Sequence, residues 1–211
     1  MTNTVETEER IFDAALVVFA SKGRDGARMQ EIADQAGINK AMLHYYFRSK
    51  DRLYEAVFGY VMKRFMQAFA QETRGATTFA EFLRGFIDSY IDALHANPDV
   101  FRLMVNENLS GGQALGTHIG RFKQAQEGAP QLFVRKIEAA VERGDIRAVD
   151  PWHTILTVIS SCIFFFVSRP TVELIHPDAQ DWDAFVKARK QHIFDLIYHG
   201  LQPAGPHDTP S

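Results

Sequence analysis

Apolar residues recur three and four positions apart along almost the whole chain, and this spacing constrains the fold more than any other feature. It puts one apolar stripe on each of a series of α-helices. No segment alternates with period two and no internal repeat is visible, so the expected fold class is all-α. Ile11, Phe12, Ala15, Leu16 and Phe19 form a first stripe, stopped by Gly23 in SKGRDG. Ile32, Ala33 and Ala36 mark a short second helix ending at Gly37, and Leu43 with Phe47 marks a third. Ser49 is suited to cap a long fourth helix carrying Leu53, Val57, Val61, Phe65 and Phe69.

Beyond it the spacing predicts helices over 79–94, 113–126, 130–143, 151–167 and 182–201. Asn97-Pro98-Asp99 is expected to open another, with Asn97 as its N-cap and SGG at 110–112 as its end. Gly144 closes the 130–143 helix and GDIRAVDP is a loop. The segment PAGPHDTPS, residues 203–211, is expected to be a disordered tail.

One stretch does not follow helix-burial logic. In GINKAMLHYYFRSKDRL, residues 37–53, the consecutive His44, Tyr45, Tyr46 and Phe47 point all around a helical turn, so some must face outward. From Gln35 to Lys50 there is no acid, while Lys40, Arg48 and Lys50 give a local charge of +3 on a chain of net charge −3. Two short helices joined by a glycine-containing turn, MQEIADQAGINKAMLHYYF, fit a helix-turn-helix whose second helix enters the major groove. Ile32, Ala33, Ile38 and Leu43 would hold the pair together, with Tyr46 and Phe47 packing beside them. Asn39 would cap the second helix, and Lys40, His44 and Tyr45 would face DNA. Lys50 sits at a helix N-terminus, where a cation is unfavourable; a phosphate partner accounts for it better than helix stability does, a plain solvated lysine being the alternative.

These parts resemble the TetR family of bacterial repressors. The matching segments are FDAALVVFASKG, GARMQEIADQAGINKAMLHYYF and SKDRL, covering roughly residues 8 to 60, and the rest agrees in helical layout. Ala27 and Arg28 stand where that family usually has threonines, His44 where a tyrosine is common, and Asn39 replaces a serine while keeping the cap. The resemblance implies DNA contacts from Arg28, Gln30, Asn39, Lys40, Ala41, Met42, His44, Tyr45 and Lys50. It implies an N-terminal three-helix DNA-binding domain over 1–50 and a larger helical effector-binding and dimerisation domain over 51–202. It further implies a homodimer through the last two long helices, a palindromic double-stranded operator, and release by a small, mostly apolar effector.

Phe65, Phe69, Phe86, Tyr90, Phe101, Met104, Phe122, Phe133 and Phe164 recur on several helices and could be core or could line an effector pocket; the resemblance favours a pocket. Asn106, Glu107 and Asn108 could orient a ligand or simply end a helix. On the last helix, Ile193 and Leu196 are expected at the dimer interface.

Other features exclude other classes. The single Cys162 cannot form an intramolecular disulfide and fits a reducing cytoplasm. MTNTVETEER is too polar for a secretory signal, and the apolar run Thr154 to Val167 is shorter than the roughly 20 residues a membrane span needs. His192 and His199, seven apart, do not suggest a metal site. No nucleophile elbow, P-loop or dinucleotide fingerprint is present, so neither enzyme chemistry nor a cofactor is expected. Two readings remain: a ligand-controlled DNA-binding regulator, and a helical ligand-binding or interaction scaffold without specific operator binding.

Overall fold

The computed structural model describes residues 2–73, 75–124 and 129–203. They form helices and no strand among the described residues: α1 (Thr2–Gly26), α2 (Met29–Gln35), α3 (Lys40–Tyr46), α4 (Lys50–Glu72), α5 (Phe79–Ala96), α6 (Pro98–Leu109), α7 (Gln113–Gln124), α8 (Ala129–Glu142), α9 (Pro151–Val167), α10 (Arg169–Ile175) and α11 (Trp182–Leu201). The chain folds as two compact units, one from residues 1–66 with 94–125 and one from residues 67–93 with 126–211.

The first unit is built around α1, which packs most extensively on α6 and also on α2. Its core joins Ile11, Ala15 and Phe19 of α1 to Ile32 and Ala33 of α2 and Leu43 of α3. Leu53, Val57 and Phe58 of α4, Leu103 of α6 and Ala114 of α7 complete it. Each large aliphatic or aromatic side chain buried here contributes about 1.5–3 kcal/mol, so the short α2 and α3, too brief to persist alone, are held by the core. The first stripe breaks where expected, with Gly23 at φ 68° inside α1.

The second unit packs α8 and α11 against α9. Phe133 of α8 meets Phe82 and Phe86 of α5 edge-on, at centroid distances of 5.1 and 4.8 Å. Arg84 lies over the Phe194 ring at 3.8 Å and donates to Gln191 at 2.8 Å, fastening α5 to α11. α5 opens with a reciprocal cap: Thr78 accepts from the Glu81 amide at 3.2 Å, and the Glu81 carboxylate accepts from the Thr77 and Thr78 amides. Asp150 and Asp181 cap α9 and α11 by accepting from His153 and Ala184 amides at 2.8 and 3.0 Å.

Three expectations need correction. Asn97 occupies the N-cap position of α6, but its side chain makes no capping hydrogen bond; Pro98 at the first turn sets the helix start. The interval between 151–167 and 182–201, for which the spacing predicts no helix, contains α10 and a 3-10 turn over Pro177–Gln180. Seven residues with a proline carry no readable stripe, and α10 is supported by the Arg169–Glu173 ion pair at 2.7 Å, one turn apart. Finally, Ile193 and Leu196, neighbours three residues apart on α11, are not exposed together: Ile193 is 2% exposed in the core and Leu196 is 69% exposed. The extension of the seventh helix beyond Gln124 and residues 204–211 of the tail lie outside the described residues.

Candidate DNA-recognition surface

The turn between α2 and α3 is fixed by backbone chemistry. Gly37, at φ 65°, donates to the Asp34 carbonyl at 3.1 Å and Ile38 donates to the Ala33 carbonyl at 3.0 Å, the Schellman closure of α2. Arg10 reaches from α1 and donates to the Ala36 carbonyl at 2.7 Å, pinning the turn from behind. Asn39 then starts α3, its side chain accepting from the Met42 amide at 2.7 Å.

With Leu43 and Phe47 buried and Tyr46 half-buried, the rest of α3 faces outward. Phe12 holds Phe47 from α1 at 5.6 Å. Lys40, Ala41, Met42, His44 and Tyr45 are all exposed, and Tyr45 is 83% exposed, a large aromatic left in solvent. Arg28 and Gln30, at the start of α2, are exposed as well. The structure therefore leaves Arg28, Gln30, Lys40, Ala41, Met42, His44 and Tyr45 at outward positions of α2, its N-cap and α3, while Asn39 caps α3 and Lys50 lies on α4.

Besides Asn39, two of the residues expected to meet DNA are partly engaged internally. Gln30 donates to Asp34 at 2.8 Å. Lys50, half-buried at the start of α4, donates from Nζ to the Asp25 carbonyl at 2.9 Å. Two long-range fasteners are invisible in the sequence because nothing local marks them. Lys22 pairs with Glu31 at 2.7 Å, and its hydrogen bond holds the Glu31 carboxyl below the usual range. Arg24 pairs with Asp51 at 2.9 Å, and that hydrogen bond raises the guanidinium above its ordinary value.

The residues considered for an effector pocket fall into different settings. In the second unit Phe86, Tyr90 and Phe133 are buried together, with Phe86 5.5 Å from Tyr90. Phe164 does not join them: α9 buries Ile155, Val158, Cys162 and Phe165, and Phe164 lies outward in a surface cleft of about 470 Å³ with Ser160, Ile175 and Phe185. In the first unit Phe65, Phe101 and Met104 are half-buried. The side chains of Phe69 and Phe122 lie outside the described residues. Of the polar trio, Asn108 is exposed, Asn106 donates to the Ala20 carbonyl at 3.1 Å, and Glu107 is buried at 3% exposure.

No group of three or more His, Cys, Asp or Glu among the described residues could hold a metal ion. No single described helix is long and apolar enough to cross a membrane; α9 and α10 reach the required length only as a pair bent by 73°.

An all-helical chain with a braced helix-turn-helix and an outward basic, aromatic recognition helix defines a DNA-binding regulator. Residues 11–57 match the family of bacterial regulatory proteins, tetR family, and residues 80–197 match the tetracyclin repressor-like C-terminal domain. The chain is 28% identical over 205 residues to the HTH-type transcriptional repressor NicS of Pseudomonas putida, covering 93% of this chain and 92% of NicS. It is 26% identical over 200 residues to the HTH-type transcriptional regulator RutR of Escherichia coli K12, covering 93% and 91%. The crystal structure of the transcriptional regulator FadR from Bacillus subtilis in complex with stearoyl-CoA has the same fold, with a TM-score of 0.71 at 18% identity over 92% of this chain and 99% of that one. The chain belongs to the TetR family and is a helix-turn-helix transcription regulator.

Proposed function

We propose that this protein is a repressor that binds a palindromic operator as a homodimer and is released by a small, mostly apolar effector. The observation that carries the DNA reading is the outward face of α3, where Lys40, His44 and Tyr45 stand clear of the core in a stretch without an acid. Lys40 and Tyr45 can donate to base edges, and Arg28 and Lys50 can meet phosphates. In this division of labour residues 1–50 supply the DNA contacts, and residues 51–202 supply the effector and dimer surfaces. Two recognition helices related by two-fold symmetry would meet half-sites about one helical turn, or a multiple of it, apart.

The dimer reading rests on apolar side chains that the second unit leaves in solvent. Trp152, Leu156, Phe164 and Val167 of α9 and Leu196 of α11 are all exposed, an apolar surface that a second copy would cover in a four-helix interface. The effector reading rests on the aromatic residues Phe86, Tyr90 and Phe133, buried together in the second unit, and on the stearoyl-CoA bound by a protein of the same fold.

A shift assay against fragments of the source genome tests the first step. The expected result is one or a few fragments retained well above the rest, each with an inverted repeat. Uniform retention of all fragments would sink operator recognition and leave a helical scaffold. Lipophilic metabolites, long-chain acyl-CoA among them, are then screened by thermal shift. A hit must lower affinity for the selected fragment, by about 1–3 kcal/mol of coupling, to count as an effector.

A further inference from the structure

Helix α7 begins directly after Gly111-Gly112, so the residue before its first turn has no side chain to take the exposed amides. Glu107, from the last turns of α6, does so instead. Its Oε1 accepts from the Ala114 amide at 2.6 Å and lies 3.4 Å from the Leu115 amide, while its Oε2 accepts from the Tyr54 hydroxyl at 2.8 Å. The carboxylate thus sits at the positive end of α7 and grips α4 with its other oxygen. Burial, followed by the Glu107 hydrogen bond, holds the Tyr54 hydroxyl above the usual phenol range.

Tyr54 belongs to the part of α4 that adjoins the helix-turn-helix. Phe19 of α1 meets its ring edge-on at 4.9 Å and the Arg24 guanidinium lies over it at 5.5 Å; Arg24 in turn holds Asp51 in the first turn of α4. One turn further along both helices there is a second fastening. His118 of α7 stacks on Phe58 at 5.8 Å and fills the space above Gly59, where a Cβ would stand 2.8 Å from its Cε1. Both fastenings lie in the first unit, and together they fix the register of α7 on α4.

The geometry points to Glu107 as a positioning residue for operator binding: its buried carboxylate locks the start of α7 to Tyr54 and so fixes the orientation in which α4 presents α3 to DNA. Glu107 is itself buried and acts only through Tyr54 and α7. The inference rests on the operator reading above. Loosening the lock spreads α3 over more orientations, and the apparent affinity for a geometrically demanding operator falls with the competent fraction. Nonspecific duplex makes no such demand, because its contacts are to phosphates alone.

Glu107→Gln keeps the shape but removes the negative charge from the start of α7, and the Tyr54 hydroxyl, which donates to a carboxylate oxygen in the wild type, can then only accept from an uncharged amide nitrogen. Tyr54→Phe removes the α4 arm alone. The full-length variants are compared with wild type for melting temperature, operator affinity and affinity for unrelated duplex. Glu107→Gln should remain folded at the assay temperature and lose tenfold or more in operator affinity, with nonspecific affinity changed less than twofold. Tyr54→Phe should lose in the same direction, and the double variant should lose no more than the larger single loss. Wild-type operator affinity in folded Glu107→Gln, equal losses on both DNAs, or additive losses in the double variant would overturn the inference. If Glu107→Gln does not fold, Tyr54→Phe decides alone: an unchanged ratio of operator to nonspecific affinity refutes it. A wild type without any operator preference fails the operator reading, and that is read from the wild-type arm alone.

Discussion

Lys50 Nζ donates to the main-chain carbonyl of Asp25 at 2.9 Å, tying the first residue of α4 to the end of α1. A cation at a helix N-terminus is unfavourable by itself, and here it meets a carbonyl at the end of another helix, where positive charge is welcome. The same ammonium has further donors for a phosphate. Lys50→Ala should therefore act twice. It should weaken binding to every DNA sequence and make the salt dependence shallower by about one unit of slope. It should also destabilise the fold by about 0.5–1.5 kcal/mol. A lowered melting temperature with an unchanged salt slope would leave Lys50 an internal fastener only.

On α3 the exposed residues should separate from the capping residue. Lys40→Ala or Tyr45→Ala removes a group that touches little of the protein's own core, so melting should hardly change. Operator affinity should fall by about 1–3 kcal/mol for each base edge that is no longer read. Asn39→Ala instead deletes the cap on the Met42 amide and should cost about 1 kcal/mol of stability, with affinity falling through the frayed helix. If neither Lys40→Ala nor Tyr45→Ala alters operator affinity, α3 is not the reading helix.

Ile193 and Leu196 should behave as opposites when each is replaced by Arg. Leu196 is exposed on α11, so a charge there leaves the protomer folded and prevents a second copy from docking. Ile193 is buried, so the same charge has no partner and the second unit should not fold. Sedimentation of wild type and Leu196→Arg, with melting curves for both, makes the comparison. A wild type that is monomeric at micromolar concentration ends the dimer proposal.

The pattern of these outcomes reflects what a sequence can carry. The limits of α9 and α11 were legible residue for residue, because an apolar-striped run that opens just after an Asp, Asp150 before α9 and Asp181 before α11, is local information. The helix-turn-helix was legible for the same reason, through Gly37, Asn39 and the acid-free helix after them. Which way Ile193, Leu196 and Phe164 point was not, since it depends on where neighbouring helices lie. Glu107 is the sharpest case: in a polar run it reads equally as a group that orients a ligand or as a solvent-facing helix end. Only the approach of Tyr54, 53 residues away in sequence, turns it into a buried cap.

Cys162 should be inert while the protein is folded. It is fully buried, and burial pushes its thiol up to about 12, with Arg189 opposing and Asp88 adding to the shift. At pH 8 the folded thiol is protonated and shielded, so a chromogenic disulfide reagent should titrate it only after denaturant is added. The linkage has a definite sign. The folded value lies above the unfolded value of about 8.5, so this stabilisation is complete below pH 8.5 and is lost as pH rises towards 12. Labelling of native protein as fast as of a free thiol would show that α9 opens readily.

Gly37 should be replaceable only at a cost in backbone strain. Its φ of 65° lies in the left-handed region, and it donates one of the two hydrogen bonds that close α2. Space is not the obstacle, because an added Cβ would come no nearer than 3.6 Å to Arg10 Nη2, an ordinary contact. Gly37→Ala should therefore lower stability by about 1–2 kcal/mol from backbone strain alone. Gly37→Asn should cost less, since asparagine tolerates this conformation better. Operator affinity measured well below the melting temperature should be nearly unaffected by either, because the turn is also held from behind by Arg10 on the Ala36 carbonyl. Equal melting temperatures for wild type, Gly37→Ala and Gly37→Asn would mean that the turn does not hold this conformation in solution.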